Sequence, residues 1–215
     1  MYKRVGKRAL DIILSGLGIV VCALPMLLIV ILIKIDSPGP VLFKQKRVGI
    51  HKTHFNILKF RTMRIDTPKD VPTHELSNPE QWITRVGKIL RKTSLDELPQ
   101  LFNIFKGEMT VVGPRPALWN QFDLIEERDK YGANDVRPGL TGWAQTNGRD
   151  ELEIPVKARF DGEYTAALNQ GRGKGVLMDV KCLVRTINCV LNSDGVVEGK
   201  KDKKKKNEKK EETVA

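Results

Sequence analysis

Two adjacent carboxylates, Asp96 and Glu97, stand between Arg91 and Arg115 in the run RKTSLDELPQLFNIFKGEMTVVGPRP, residues 91–116. Acids set among guanidinium groups suit work on phosphates. The cations hold the anion, and a carboxylate serves as nucleophile, base or metal ligand. Ser94 with Glu97 fits the S-x-x-E capping box, and Pro99 in a first turn fits Asp96 as the cap, so the pair is expected where a helix begins. Free N–H groups and the positive end of the dipole make a helix start an anion site, where a carboxylate stays ionised. Successive helical residues point about 100° apart. The two acids are therefore expected to play different parts, one a nucleophile and the other a base or a metal ligand. A purely structural use, starting the helix, accounts for them as well.

Further candidates lie on either side. Lys59 and Arg61 end a β-rich stretch, where a solvated strand face is the plainer reading. Arg115 sits in Gly113-Pro114-Arg115-Pro116, a rigid turn that presents a guanidinium with little freedom. Arg137, Asn147 and Arg149 belong to a second rigid turn, RPGLTGWAQTNGR, and are candidate phosphate or nucleotide contacts.

Several elements must position these residues. No charged residue occurs from Ile12 to Ile33, enough for a helix to cross a hydrocarbon core of about 30 Å. Pro25 lies inside it, where a proline kinks or breaks a helix. Basic residues flank both ends, so both ends prefer the cytoplasm. A re-entrant helix that bends at Pro25 and returns to the same face satisfies both facts, with a straight spanning helix as the rival. Asp36 to Pro40 is a turn cluster, and Val41 to Met63 reads as a β-hairpin. Asp66 to Pro79 is polar, holds three prolines and reads as a mobile loop. Trp82 to Arg91 has the spacing of an amphipathic helix. In the helix after Asp96, the apolar stripe Leu98, Leu101, Phe102 and Phe105 is expected to be buried, with Lys106-Gly107 as its end. Met109 to Val112 reads as a strand. Helices are expected from Trp119 to Tyr131, Glu153 to Asn169 and Gly175 to Leu191. The last carries an apolar stripe suited to packing, to interfacial membrane contact or to a homodimer.

The chain of 215 residues has a formal charge of +11, which points to an anionic partner such as nucleic acid, phospholipid or a phosphorylated substrate. From Gly199 on there are eight lysines against four acids. With no apolar residue before Val214, this tail is read as disordered and able to touch anionic lipid. Three cysteines in no metal-type spacing read as reduced thiols on the cytosolic side. His51, His54 and His74 have no cysteine neighbours that would make a zinc site. A nucleic-acid-binding module would explain the charge but not an Asp-Glu pair among arginines, and no usual RNA- or DNA-binding motif is present. A membrane scaffold for polysaccharide export is the other rival.

KFRTM, LRKTSLDELPQLFNIFKGEMTVVGPRP and RPGLTGWAQTNGRD, in this order, resemble the bacterial sugar transferase domain of polyprenyl-phosphate phosphoglycosyl transferases. The resemblance runs from about Lys3 to Leu191 and is closest to the small monotopic members. It implies an α+β, mostly helical fold divided into three parts. Residues 1–34 would be a basic flank and re-entrant membrane helix, 35–198 a cytosolic catalytic domain with a β-hairpin, and 199–215 the tail. It implies an enzyme on the cytosolic face of the bacterial inner membrane that takes a UDP-sugar and a polyprenyl phosphate, undecaprenyl phosphate by expectation, with inner-leaflet lipid as its surroundings and no nucleic acid. Asp96 would attack the sugar-linked phosphorus, release UMP and carry the phosphosugar as an acyl phosphate until the lipid phosphate takes it. Glu97 would act as base or, with Asp96, hold Mg²⁺. Lys59, Arg91 and Arg115 match basic positions around the phosphates. Arg61, Arg137, Asn147 and Arg149 match motif positions, and Pro25 matches the hinge.

Overall fold

In the structure, a computed structural model, residues 2–67, 79–148, 152–171 and 173–191 are described. Most of Asp66 to Pro79, Arg149, and the tail from Gly199 fall outside them. After a short π-helical turn, Tyr2–Gly6, come α1 (Lys7–Val21) and α2 (Ala23–Asp36), then β1 (Leu42–Val48) and β2 (His54–Phe60). Next are α3 (Arg85–Thr93), α4 (Gln100–Lys106), β3 (Thr110–Val112), α5 (Phe122–Asp129), β4 (Gly139–Thr141), α6 (Ile154–Asn169) and α7 (Lys174–Leu191). The fold is mostly helical. β1 and β2 form the expected antiparallel hairpin, with Leu42 opposite Phe60 and Val48 opposite His54.

No single helix among the described residues is long and apolar enough to cross a membrane, but α1 and α2 together are, bent by 59°. The break falls at Cys22 and not at Pro25, which lies in the first turn of α2. A proline has no N–H for the carbonyl four residues back, and its ring clashes with that carbonyl. For Pro25 the carbonyl is that of Val21, the last residue of α1, so the proline ends α1 at a distance of one turn. Both ends of the pair are fastened to the rest of the fold. Near the start, Lys7 Nζ donates to Asp179 at 2.7 Å, Asp11 Oδ1 accepts from Thr110 Oγ1 and from Val111 N at 2.9 Å each, and Arg8 donates to the carbonyls of Ile104 and Phe105. At the other end, Asp36 Oδ2 accepts from Val86 N in the first turn of α3, and Ile29 and Ile33 pack on Phe60 and Leu90.

The start of α3 is set by Thr84, whose hydroxyl accepts from Gly87 N at 3.0 Å, two residues beyond Trp82, where the periodicity began. Ser94 caps nothing with its side chain. It adopts the left-handed conformation (φ 57°) that ends α3. Asp96 and Glu97 lie in a separate 3₁₀ turn, Leu95–Glu97, and α4 begins only after Pro99. The capping box is absent because the left-handed residue breaks the chain between two helical turns.

The expected stripe is met in part: Leu98 and Leu101 are partly buried against the core, but Phe102 and Phe105 are not. α4 buries Gln100 (2% exposed), Asn103 (1%) and Ile104, while Phe102 (40%) and Phe105 (48%) face outward. Asn103 explains the polarity, since its amide binds β2 through Leu58 N (3.0 Å) and Asn56 O (2.9 Å). The helix ends at Gly107 (φ 92°), as its sequence predicts.

β3 pairs in parallel with β4, Thr110 with Gly139 and Val112 with Thr141. This pairing was not evident in the sequence, where residues 137–143 read as a turn. Glycine permits it: a Cβ on Gly139 would lie 2.1 Å from Gly113 N, and one on Gly142 2.1 Å from Gly113 O. The two motifs VVGPRP and RPGLTGW are thus in backbone contact. Behind them, Val112, Val136, Trp143, Tyr164, Leu168 and Cys182 form one core cluster.

Candidate active site

Three elements converge on the carboxylates. The 3₁₀ turn carries Asp96 and Glu97, β2 carries Lys59, and the turn after β3 carries Arg115. Lys59 Nζ lies 2.6 Å from Glu97 Oε1 and 3.9 Å from Asp96 Oδ2, and Arg115 Nη2 lies 3.7 Å from Glu97 Oε1. Arg91, at the end of α3, acts electrostatically on Asp96. Lys59 is held by its neighbourhood: the preceding residue, Leu58, is the one bonded to Asn103 of α4. The same helix that follows the carboxylates therefore fixes the strand that brings the ammonium to them.

Asp96 is 8% exposed. Burial raises its pKa above the ordinary 3.8. Lys59 opposes this, Glu97 adds to it, and Arg91 opposes it again. The helix-start effect expected to lower this pKa is outweighed here, because the acid is in a buried 3₁₀ turn and desolvation is the largest effect. One buried donor nearby, Gln100 Nε2, four residues after Asp96, has no partner among the described residues. Sequence reading passed over Gln100 as an ordinary helix residue. Its position in a LPQL run gave no signal beyond helical spacing.

The other motif residues are placed differently. Arg61 is buried and donates to the carbonyls of Ser37 and Pro38 and to Ser37 Oγ, tying the exit of α2 to the hairpin. Burial lowers its pKa. Arg137 Nε donates to Gly107 O at 3.0 Å and so completes, with Arg8, the cap at the far end of α4. Asn147 donates to Trp143 O (2.6 Å) and accepts from Arg185 Nη1 of α7, while the Arg185 guanidinium lies 4.6 Å from the Trp143 ring centroid. The hydrogen bonds of these three residues tie them to the scaffold. Arg149 lies outside the described residues.

No group of three His, Cys, Asp or Glu side chains converges among the described residues. Two carboxylates are nonetheless a suitable donor set for Mg²⁺, which takes one or two carboxylates and fills its octahedron with water and phosphate oxygens. The Lys59 ammonium, within reach of both acids, shows that a cation is accommodated between them. The donor chemistry of Asp96 and Glu97 is compatible with such an ion.

Comparison with known proteins adds to this geometry. The family model described as "Bacterial sugar transferase" matches residues 2–193. An "Undecaprenyl-phosphate glucose phosphotransferase" of Komagataeibacter xylinus is 39% identical over 192 residues, covering 84% of this chain and 35% of that protein. An "Uncharacterized sugar transferase EpsL" of Bacillus subtilis is 34% identical over 190 residues, covering 88% and 89%. A "UDP-N-acetylgalactosamine-undecaprenyl-phosphate N-acetylgalactosaminephosphotransferase" of Aeromonas hydrophila is 35% identical over 195 residues, covering 88% and 44%. The chain thus spans less than half the length of two of these three relatives. Their names carry different sugars at similar identity, so overall similarity does not select the sugar.

Proposed function

Because this chain belongs to the bacterial sugar transferase family, we propose that it transfers a sugar phosphate from a UDP-sugar to undecaprenyl phosphate, giving undecaprenyl-diphosphate-sugar and UMP. The observation that carries this reading is a buried aspartate, Asp96, held beside Glu97 with Lys59, Arg91 and Arg115 around the pair. An acid facing a diphosphate meets like charge, and these cations offset it.

In the first step, Asp96 Oδ attacks the sugar-linked phosphorus. An O–P bond forms, the bond from that phosphorus to the bridging oxygen breaks, and UMP leaves with the bonding pair. Aspartyl phosphates of this kind are precedented intermediates. In the second step, a phosphate oxygen of undecaprenyl phosphate attacks the same phosphorus, and Asp96 departs as a carboxylate. Arg115 and Lys59 bind the diphosphate, and Glu97 orients the cations or accepts a proton. Asp96 and Glu97 would hold Mg²⁺, which when bound neutralises charge on the phosphates. Gln100 Nε2 offers a buried N–H to the same region.

The membrane part of the reading draws on α1 and α2. A bent apolar pair with both ends fastened to one globular body suits a re-entrant segment on the cytosolic side of the inner membrane. Outward phenylalanines on α4, a helix whose inner face is polar, suit a site level with the lipid surface. Pro25→Ala restores the donor to the Val21 carbonyl and is expected to straighten the pair. A cysteine placed at Tyr2 would then become accessible to an impermeant thiol reagent from the periplasmic side, and unaltered accessibility would count against the hinge.

The enzymatic test is direct. Purified protein, Mg²⁺, undecaprenyl phosphate and a panel of UDP-sugars should give UMP and lipid-linked sugar with one or a few donors. With donor alone, intact mass should rise by one phosphosugar, mapping to Asp96. UMP release without any adduct on Asp96 would overturn the covalent mechanism, and no product with any UDP-sugar would overturn the reaction.

A further inference from the structure

The turn that presents Arg115 is held to an unusual degree. Four consecutive carbonyls all accept hydrogen bonds: Pro114 O from Gly139 N (2.8 Å), Arg115 O from Arg128 Nη2 (3.0 Å), Pro116 O from Arg47 Nη1 (3.0 Å) and Ala117 O from Val48 N (3.0 Å). Two come from backbone, as sheet neighbours supply. The two in the middle come from arginine side chains on distant elements, α5 and β1.

Arg128 is the more constrained of these arginines. It is 4% exposed, and its partner Asp161 on α6 is 1% exposed. Nε and Nη2 both donate to Asp161 Oδ2, at 2.8 and 2.6 Å, and the same Nη2 reaches Arg115 O. A buried ion pair is a poor means of stabilising a core, since apolar side chains of similar volume do as well or better. The geometry here gives this one a different use. Asp161 orients the guanidinium plane, and the plane holds the backbone of the residue whose side chain faces Glu97. α5 and α6 carry no residue of the carboxylate site, yet this contact connects them to it.

We propose that Arg128 and Asp161 are positioning residues that act on the reaction through Arg115, by fixing its backbone so that its guanidinium meets the diphosphate of a nucleotide-linked sugar without having to be ordered first. The inference rests on the assignment of Arg115 to the donor. A lysine at 128 has one nitrogen and cannot keep the fork to Asp161 and the bond to Arg115 O together.

The test is a double-mutant cycle on UMP release and on Tm, using UDP-glucose or UDP-N-acetylgalactosamine, whichever is turned over. Arg128→Lys should lower kcat/KM for the donor about tenfold, as expected when a binding group is slightly misplaced. In an Arg115→Ala background the same change should cost less than about twofold, because the residue it acts through is gone. Its effect on Tm should be equal in both backgrounds. Equal losses of kcat/KM in the two backgrounds would overturn the proposal. Arg115→Ala with full activity would overturn the placement of Arg115 at the donor, a failure distinguishable from the first. Should Arg128→Lys fail to fold, the paired change Arg128→Met with Asp161→Leu keeps the volume and removes the charges. It should retain or raise Tm while kcat/KM falls, and full activity in that protein would overturn the clamp.

Discussion

α4 and α6 differ in what they leave outside. α6 buries Ala158, Gly162, Tyr164 and Leu168, together with the paired Asp161 and with Thr165, and turns Arg159, Glu163 and Asn169 outward, so its outward face is the one expected of a helix facing water. α4 buries Gln100 and Asn103 and turns Phe102 and Phe105 outward. α7 shares part of this arrangement, with Asp179 and Cys182 inside and Leu177, Val180, Val184 and Ile187 exposed. α1 and α2 are apolar on nearly every outward position. On the proposed membrane reading, the difference would mark where the solvent changes. Around α6 the outward groups are polar, as suits water. Around α1, α2 and α4 the outside suits lipid, and the inner face is where polar groups must find partners. The carboxylate turn lies at the join, in the residues that connect α3 to α4.

The largest effect expected from this comparison is at the join itself. Asp96→Asn should lower turnover by about 10⁴-fold or more, the scale of losing a covalent nucleophile, while leaving the fold intact. Its stability should change with pH in a defined direction. Burial raises the folded pKa of Asp96 above 3.8, so above that raised pKa the ionised form is disfavoured in the folded state relative to the unfolded chain. Stability of the parent should rise as pH falls through the folded pKa towards the unfolded one. Asn removes the titration, so its gain in Tm should be largest at neutral pH and vanish near pH 4. UMP release and thermal melts at several pH values check both halves. Lipid-linked product from the Asn protein would end the case for Asp96 as nucleophile.

The inner face of α4 comes next. Asn103→Leu leaves Leu58 N–H and Asn56 C=O without their partner and should destabilise by about 2–4 kcal/mol, the scale of two buried groups left unsatisfied. It should also loosen Lys59, the neighbour of Leu58, and so raise KM for the donor. If the Leu protein were as stable as the parent, α4 would be an ordinary amphipathic helix, and the contrast with α6 would collapse.

Much of this was legible in the chain and some was not, for physical reasons. The hairpin showed in its alternation, Gly107 marked the end of α4, and the Asp-Glu pair among arginines marked a cluster to which the fold brings Lys59, Arg91 and Arg115. The stripe of α4 was read correctly at Leu98 and Leu101 and not at Phe102 and Phe105, because an apolar pattern gives the residues that avoid water and not what receives them. The kink was placed at Pro25 although a proline acts on the carbonyl one turn earlier. Arg61, Arg137 and Asn147 read as ligand contacts because sequence gives a residue's type and not its partner. Backbone carbonyls that need a donor, such as Gly107 O, leave no mark in the one-letter code. The same holds for Arg128 and Asp161, which are 33 positions apart.

The outward face of α4 should behave in the reverse manner to its inner face. Phe102→Ser removes apolar surface that is largely exposed, so Tm in detergent should move by no more than about 0.5 kcal/mol equivalent, whereas Phe105→Ser also removes a ring that lies against Gly16 of α1 and should cost more. Partition to vesicles of anionic lipid should weaken by about 1–2 kcal/mol each if the rings sit in lipid. Co-flotation measures this. Loss of Tm without loss of flotation would place these rings in a protein contact and would remove α4 from the lipid side of the comparison.

The smallest change probes the seam where α1 lies along α4. A Cβ on Gly16 would meet the Phe105 ring at 3.5 Å, an ordinary contact, and one on Gly18 would meet Leu101 at 3.2 Å, slightly tight. Gly16→Ala should therefore gain about 0.5–1 kcal/mol from helix propensity and added contact, with activity unchanged. Propensity alone would give the same sign, so the discriminating change is Gly16→Leu. With α1 against α4, the larger side chain must push Phe105 aside, and the gain should turn into a loss. With α1 standing apart in the bilayer, Gly16→Leu should stabilise at least as well as alanine. That outcome would separate the bent helix from the catalytic domain and leave Arg8 and Asp11 as its only ties to α4 and β3.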